Sequence, residues 1–167
     1  ALSRSVLTSG AADWPALYLS NVSEVTVSDS YVEGSTAAYI SGSTGTVITS
    51  SVFVATGTGI APFYSMILDL LSQGDTRPMH VYFGVRHEEN IFYQREFETL
   101  AKQHPNLHFT LTLSQPSGAW KGSRGRVTAL LPKQSFNPTT TDVYICGGKG
   151  MIDDVRAIFL QKGFEPS

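Results

Sequence analysis

The segment Thr56-Gly57-Thr58-Gly59-Ile60-Ala61-Pro62 joins two stretches of different periodicity. Before it lies a short apolar run, Val52 to Ala55; after it, Phe63, Met66, Ile67, Leu70 and Leu71 keep helical spacing. A strand that turns into a helix leaves helical N–H groups without partners and brings the positive end of the helix dipole to the turn, so the turn favours an anion. Glycines at 57 and 59 let the backbone approach a pyrophosphate with no Cβ between, and the threonine hydroxyls at 56 and 58 add donors. Pro62 suits the first helical turn, where its missing N–H would have had no partner. No Gly-Lys-Ser or Gly-Lys-Thr follows, which excludes a Walker loop, and Pro62 stands where the ordinary dinucleotide fingerprint has its third glycine. On these residues alone, a tight turn with no ligand is an equal alternative.

Other candidates sit where apolar runs end. Gly84 and Arg86 follow Met79 to Phe83; Ser114 and Gln115 follow Leu107 to Leu113; Gly147 and Gly148 follow Asp142 to Cys146, with Met151 just beyond. Taken by type, Cys146 reads as a buried structural thiol, Arg86 as a solvated charge and Met151 as helix core. His104 and His108 have helical spacing, but Pro105 intervenes and His108 opens a strand, so no metal pair is expected. The pairs Glu88-Glu89 and Asp153-Asp154 lie near helix starts, where dipole complementarity accounts for them without catalysis. Trp14 and Trp120 fall in loop-like sequence that does not separate partner contact from packing.

The elements that must hold these residues alternate. Strands are expected at Val52 to Ala55, Met79 to Gly84, Leu107 to Leu113 and Asp142 to Cys146. Helices are expected at Pro62 to Leu71, at Ile91 to Lys102 with Asn90 as N-cap, around Val127 to Leu131, and at Met151 to Lys162, stopped by Gly163. Such alternation implies an α/β fold, a doubly wound parallel sheet that binds ligands beyond the carboxyl ends of its strands. Composition changes near residue 50, dividing the chain into 1–50 and 51–167. The first part is crowded with Ser, Thr, Gly and Ala, and Arg4 alone stands against Asp13, Glu24, Asp29 and Glu33. Its Leu19 to Ser28 resembles Ile40 to Thr49 at an offset of about 21, as successive β-solenoid rungs would. A short β-rich segment leaning on its neighbour is the preferred reading.

With 167 residues, 41% hydrophobic and 16% charged, the chain has the composition of an ordinary globular protein. A net charge of -2 gives no excess for a nucleic-acid backbone or an anionic membrane. No apolar run nears the roughly 20 residues of a membrane span, so no membrane insertion is expected. The single cysteine cannot form an internal disulfide, and a cytoplasmic setting fits.

The longer string Ala55 to Phe63 resembles the nicotinamide-domain signature of the ferredoxin-NADP reductase superfamily. Val81 to Arg86, Leu113-Ser114, Gly122 through Gly125 to Thr128, and Tyr144 to Gly147 with Met151 and Val155 resemble the same family in the same order, across essentially all of 51–167. The resemblance implies a ferredoxin reductase-like nucleotide-binding domain of a flavin-dependent electron-transfer oxidoreductase. It implies that Thr56 to Ile60 hold the pyrophosphate, that Gly84 and Arg86 flank the dinucleotide, and that Ser114 and Gln115 meet the adenosine ribose. Cys146 and Gly147 would lie beside the nicotinamide ring, the cysteine orienting hydride transfer to a flavin, with Met151 below the cofactor. Members that prefer a 2′-phosphate usually carry arginine beside the serine, so Gln115 favours NAD(H) over NADP(H).

The flavin motifs of the family are absent in recognisable form. Arg4 to Ser9 lacks the tyrosine that would cover an isoalloxazine, and about 50 residues cannot build a flavin-binding barrel. FAD is therefore expected in a full-length parent or on a partner, and residues 1–50 as a barrel remnant or a solenoid-like piece. The partners implied are a nicotinamide dinucleotide and a flavin domain or electron-acceptor protein. A chain of this kind looks like an excised or truncated nucleotide domain, incomplete as a catalyst alone; a stand-alone binding module and a solenoid fused to an α/β domain are the alternatives.

Overall fold

In a computed structural model the described residues are 51–138 and 140–164, together with the backbone of short strands at 2–3, 6–8, 18–20, 27–28, 31–33 and 39–41. The chain divides into two compact units, one of Ala1–Ile48, Ala61–Asp75 and Pro166–Ser167 and the other of Thr49–Ile60 with Thr76–Glu165.

In the first unit the short strands pair in parallel: Leu2–Ser3 with Val27–Ser28, Val6–Thr8 with Tyr31–Glu33, and Tyr18–Ser20 with Tyr39–Ser41. Leu19 lies opposite Ile40, the register in which the two segments resemble each other in sequence. Helix α1, Ile60–Ser72, buries Ile60, Phe63, Ile67, Leu70 and Leu71 at the expected spacing. It ends where Gly74 takes a left-handed φ of 77°, which lets the Asp75 N–H reach back to the Leu70 carbonyl.

The second unit is a five-stranded, wholly parallel sheet: β1 Ser51–Thr56, β2 Met79–Val85, β3 Leu107–Leu113, β4 Ser123–Arg124 and β5 Asp142–Cys146. Their order across the sheet is β4-β3-β2-β1-β5. The chain builds outward from β1 to one edge and then returns to lay β5 on the other side of β1. The order therefore reverses between β1 and β5, the place where sheets of this kind bind ligands beyond the carboxyl ends of their strands.

Both faces are covered, as near-continuous apolar strands require. On one face Val52, Val54 and Tyr82 form a core with Val127 and Leu131, from the short 3-10 turns Val127–Ala129 and Leu131–Lys133, and with Val155 and Phe159 of helix α3, Lys149–Gln161. On the other face Phe53 stacks on Tyr144 at 5.1 Å, and Phe97 of helix α2, Gln94–Gln103, stacks on Phe109 at 4.9 Å. The sheet is thus doubly wound within this unit alone.

Two expectations at element ends need correction. Asn90 does not cap α2; it closes a 3-10 turn, Glu88–Asn90, where its Oδ1 accepts from the His87 N–H at 3.2 Å. Helix α2 starts later, after Tyr93, which holds a left-handed φ of 58°. That conformation costs a non-glycine residue roughly 1 kcal/mol. Strand β4 carries no apolar signature, since Ser123 and Arg124 are both exposed, and was not foreseen.

Across β2 and β3, His80 lies opposite His108, their rings 4.7 Å apart. Burial, and then repulsion from His108, push the His80 pKa below its ordinary 6.5. The unfolded chain thus binds a proton more readily than the folded one, and the stability this pair permits is present above about pH 6.5 and lost as pH falls. Thermal unfolding followed between pH 7.5 and 5.5 should show a steeper loss for the native protein than for His80→Phe; parallel curves would count against the pair as the cause.

Candidate functional site

The carboxyl ends of β1 and β5 are brought together by glycines that let one turn approach the other. After Thr56, which ends β1 in extended conformation, Gly57–Gly59 makes one 3-10 turn leading directly into α1. Gly57 takes a φ of 55°, and a Cβ there would meet nothing within 4 Å, so the glycine answers to backbone geometry. Gly59 answers to space. A Cβ at 59 would fall onto the carbonyl of Cys146, with the Sγ 3.1 Å away. Gly147 does the reverse from the opposite strand end, since a Cβ there would strike the Thr56 hydroxyl and the Met151 methyl. The turn after β1 and the turn after β5 are thereby pressed together.

No carboxylate lies in the first turn of either the 3-10 segment or α1, and no side chain caps the 3-10 turn. Gly57 and Thr58 are exposed, Thr56 is half-buried, and Gly59, Ile60 and Pro62 are buried. Thr58 is thus the exposed side chain of this turn. Cys146 is half-buried, and burial pushes its thiol pKa up. The sulfur therefore stays protonated and neutral at physiological pH, and presents a polarisable surface instead of a nucleophile. Met151, in the first turn of α3, is also half-buried.

Gly84 is buried at the end of β2, beside Thr56 and beneath Val127; a Cβ would lie 3.1 Å from the Val127 Cβ. Arg86, next along, is exposed. Ser114 and Gln115 leave β3 with their backbone tied to β2: the Ser114 N–H reaches the Val85 carbonyl at 3.0 Å and the Gln115 N–H reaches the Arg86 carbonyl at 2.9 Å. Ser114 is half-buried, and the Gln115 side chain is exposed. So Thr56 to Ile60, Cys146, Gly147 and Met151 gather at β1 and β5, while Arg86 lies beyond the end of the neighbouring β2, and Ser114 and Gln115 lie beyond β3, two strands from β1. At the usual strand spacing β1 and β3 are about 10 Å apart.

Five residues that the sequence did not place in the site, His87, Glu88, Thr112, Trp120 and Arg124, organise the second group. The His87 ring lies 2.7 Å from the Gln115 carbonyl oxygen, which obliges Nδ1 to donate. The Glu88 carboxylate accepts from the Ser117 hydroxyl at 2.6 Å and from its N–H at 2.9 Å, and these bonds hold its pKa below the ordinary carboxylate value. Thr112, buried, donates its hydroxyl to the Gly125 carbonyl at 2.9 Å. Arg124 turns Nη2 to the carbonyls of Ser117 and Trp120. Trp120 itself reaches the Ser123 carbonyl through its indole N–H, and Gly122 leaves room for the ring. Asp153 pairs with Lys149 one turn away on α3, an exposed and weak ion pair. Among the described residues no cluster of three or more His, Cys, Asp or Glu could hold a metal. Nor is any of their helices long and apolar enough to cross a membrane.

Comparison with known proteins agrees with this fold. Residues 53–157 match the model of the oxidoreductase NAD-binding domain family, and the chain belongs to that family. It is 37% identical over 115 residues to ferredoxin–NADP reductase B of Sorangium cellulosum (strain So ce56), covering 65% of this chain and 47% of that protein. It is 28% identical over 116 residues to the toluate 1,2-dioxygenase electron transfer component of Pseudomonas putida, covering 70% of this chain and 34% of that one. Among solved structures, the cytochrome b5 reductase domain of Ulva prolifera nitrate reductase superposes with a TM-score of 0.65 at 26% identity, over 71% of this chain and 46% of that one. A ferredoxin NADP+ reductase from Neisseria gonorrhoeae, crystallised with FAD and NADP, shares the fold with a TM-score of 0.60, at 21% identity, over 71% of this chain and 50% of that one. Residues 53–157 are thus a ferredoxin-NADP reductase-like NAD(P)-binding domain, and the chain spans between a third and a half of these relatives' length.

The fit of the two turns sets the cost of filling them. Gly59→Ala must move main chain, and overpacking of this kind costs about 1–3 kcal/mol. Denaturant unfolding should show that loss, whereas Gly148→Ala, where a Cβ meets nothing within 4 Å, should leave stability within about 0.5 kcal/mol of the native protein; equal stabilities for the two variants would refute the close approach.

Proposed function

We propose that residues 51–167 bind a nicotinamide dinucleotide across the carboxyl ends of the strands and present it to a flavin held outside this chain, with residues 1–50 a separate β-rich segment. The observation that carries the reading is the pair of interlocked glycine turns at the strand-order reversal, where the missing Cβ atoms of Gly59 and Gly147 let the ends of β1 and β5 close on each other. The pyrophosphate would rest on Thr56 to Ile60, at the start of α1, where charge is favoured and no carboxylate competes. From that point the two halves of a dinucleotide must run to opposite sides. The β5 side offers a neutral thiol, Gly147 and Met151, surfaces suited to a flat and partly apolar ring. The β2–β3 side offers Arg86, Ser114 and Gln115, suited to sugar hydroxyls.

When bound, the dinucleotide supplies a hydride and a flavin accepts it. This chain's residues would contribute orientation: Gly147 keeps Thr56 and Met151 close at the end of β5, and Cys146 would pack beside the ring without charge. The whole enzyme would be an NAD(P)H-dependent flavin oxidoreductase, with an electron-acceptor protein as partner. That reading is supported by the similar proteins, a ferredoxin–NADP reductase and the electron transfer component of a dioxygenase. FAD would sit in a longer parent or on a partner, and the lone protonated thiol suits a reducing compartment such as the cytoplasm.

NAD(H) is favoured over NADP(H) because Gln115 offers no guanidinium fork, while Arg124 already spends Nη2 on two carbonyls. The relatives do not carry this preference, since one is named for NADP. Calorimetric titration should detect NADH binding to the native chain, tighter than NADPH. Thr58→Glu, an exposed position, should weaken NADH at least about tenfold, roughly 1.4 kcal/mol, without loss of stability; unchanged affinity would remove the turn from the site. Gln115→Arg should move the preference toward NADPH by about the same factor, and an unaltered ratio would remove the basis for choosing NAD.

A further inference from the structure

We propose that Glu88 is a positioning residue for the adenosine half of the dinucleotide, acting by clasping Ser117 so that the loop after β3 holds Gln115 in one place. The inference rests on the placement of the adenosine half on the β2–β3 side.

The sheet ladder between β2 and β3 ends with the bond from the Gln115 N–H to the Arg86 carbonyl. Past that bond nothing in strand pairing fixes the loop. Gln115 is followed by Pro116, which donates no backbone hydrogen bond, and by Ser117, Gly118 and Ala119, all three exposed. A loop of that composition would ordinarily sample many conformations. Here it is held from outside, by the residues that leave β2. The His87 ring donates to the Gln115 carbonyl, so the main chain of Gln115 is fixed at both its N–H and its C=O. Glu88 holds the next free donor pair: one carboxylate takes both the N–H and the hydroxyl of Ser117, with Oε2 also 3.3 Å from that N–H. From the far side Arg124 donates to the Ser117 carbonyl at 3.0 Å. Ser117 is thus gripped at its N–H, its hydroxyl and its carbonyl, two residues from the side chain proposed to meet the ribose.

An ionised carboxylate suits this task, because hydrogen bonds to charged acceptors are about twice as strong as neutral ones. It also places a negative charge beside the loop that would receive a 2′-phosphate, which acts against NADP(H) in the same direction as Gln115. Glu88 touches no reacting atom. Its effect on binding is through the conformation of the loop, and a loop ordered in advance saves its ligand the entropy of ordering it. The effect should therefore appear at one half of the cofactor only.

The test measures affinities of AMP, NMN and NADH for the full chain by calorimetry, with native protein, Glu88→Ala and Glu88→Gln. Glu88→Ala should weaken AMP and NADH about fivefold to tenfold and leave NMN unchanged, and hydrogen exchange at the Ser117 amide should rise. Glu88→Gln, which keeps one oxygen able to accept from Ser117, should recover much of the AMP affinity while narrowing the gap between NADH and NADPH. Equal losses for AMP and NMN would make Glu88 a general stabiliser and overturn the proposal, as would unchanged AMP affinity with increased Ser117 exchange. If the native chain bound neither AMP nor NADH, the dinucleotide reading itself would fall, a result distinguishable from either variant outcome.

Discussion

The contact on which the rest depends is the close approach of Gly59 to the carbonyl and sulfur of Cys146. It brings together the ends of two strands that are neighbours in the sheet but lie more than 85 residues apart along the chain. Only a residue without Cβ allows it, and Gly147 repeats the requirement from the other side against Thr56. With both in place, the turn after β1 and the turn after β5 meet at the carboxyl edge of the sheet. Had β5 been added beyond β4 instead, the two turns would lie at opposite edges and no single ligand could span them. Topology and two missing side chains together define the centre of the site.

The chemistry on the two sides of that centre differs for physical reasons. Toward β5 the groups are neutral, since burial keeps Cys146 protonated. Toward β2 and β3 they are charged or strongly hydrogen-bonding, and the order there comes from ties between loops: His87 to Gln115, Glu88 to Ser117, Arg124 to Ser117 and Trp120. The core beneath is apolar on both faces, and its one buried threonine hydroxyl in β3 is satisfied by the Gly125 carbonyl. The sheet thus carries two closely packed turns at its centre and a polar flank whose geometry is set by side chains.

The sheet was legible because each central strand is a short apolar run and each helix repeats at helical spacing. Val52 to Ala55 and Met79 to Gly84 could be little else once Gly57 and Gly59 marked the turn between strand and helix. Strand β4 was not legible, since Ser123 and Arg124 pair through backbone alone and show no pattern. The start of α2 was misplaced because Asn90 is a good cap by type, yet its side chain serves the preceding turn and Tyr93 accepts an unfavourable backbone to begin the helix. The grouping of Thr56 to Ile60 with Cys146 followed from family resemblance; Gly59 alone does not say which carbonyl it must clear. The role of Glu88 was hidden altogether. It stands 29 positions from Ser117, and an exposed acid near a helix start has a sufficient local explanation until the partner is seen.

The central claim is that the turns after β1 and β5 form one site. Amide shifts of isotopically labelled protein during titration with NADH test it most directly. The account predicts that Gly57 to Ile60 and Cys146 to Gly148 respond together, with one dissociation constant, and that Ser114 and Gln115 follow the same curve. Response confined to one of the two turns, or a response centred on the strand ends opposite the carboxyl edge, would contradict it.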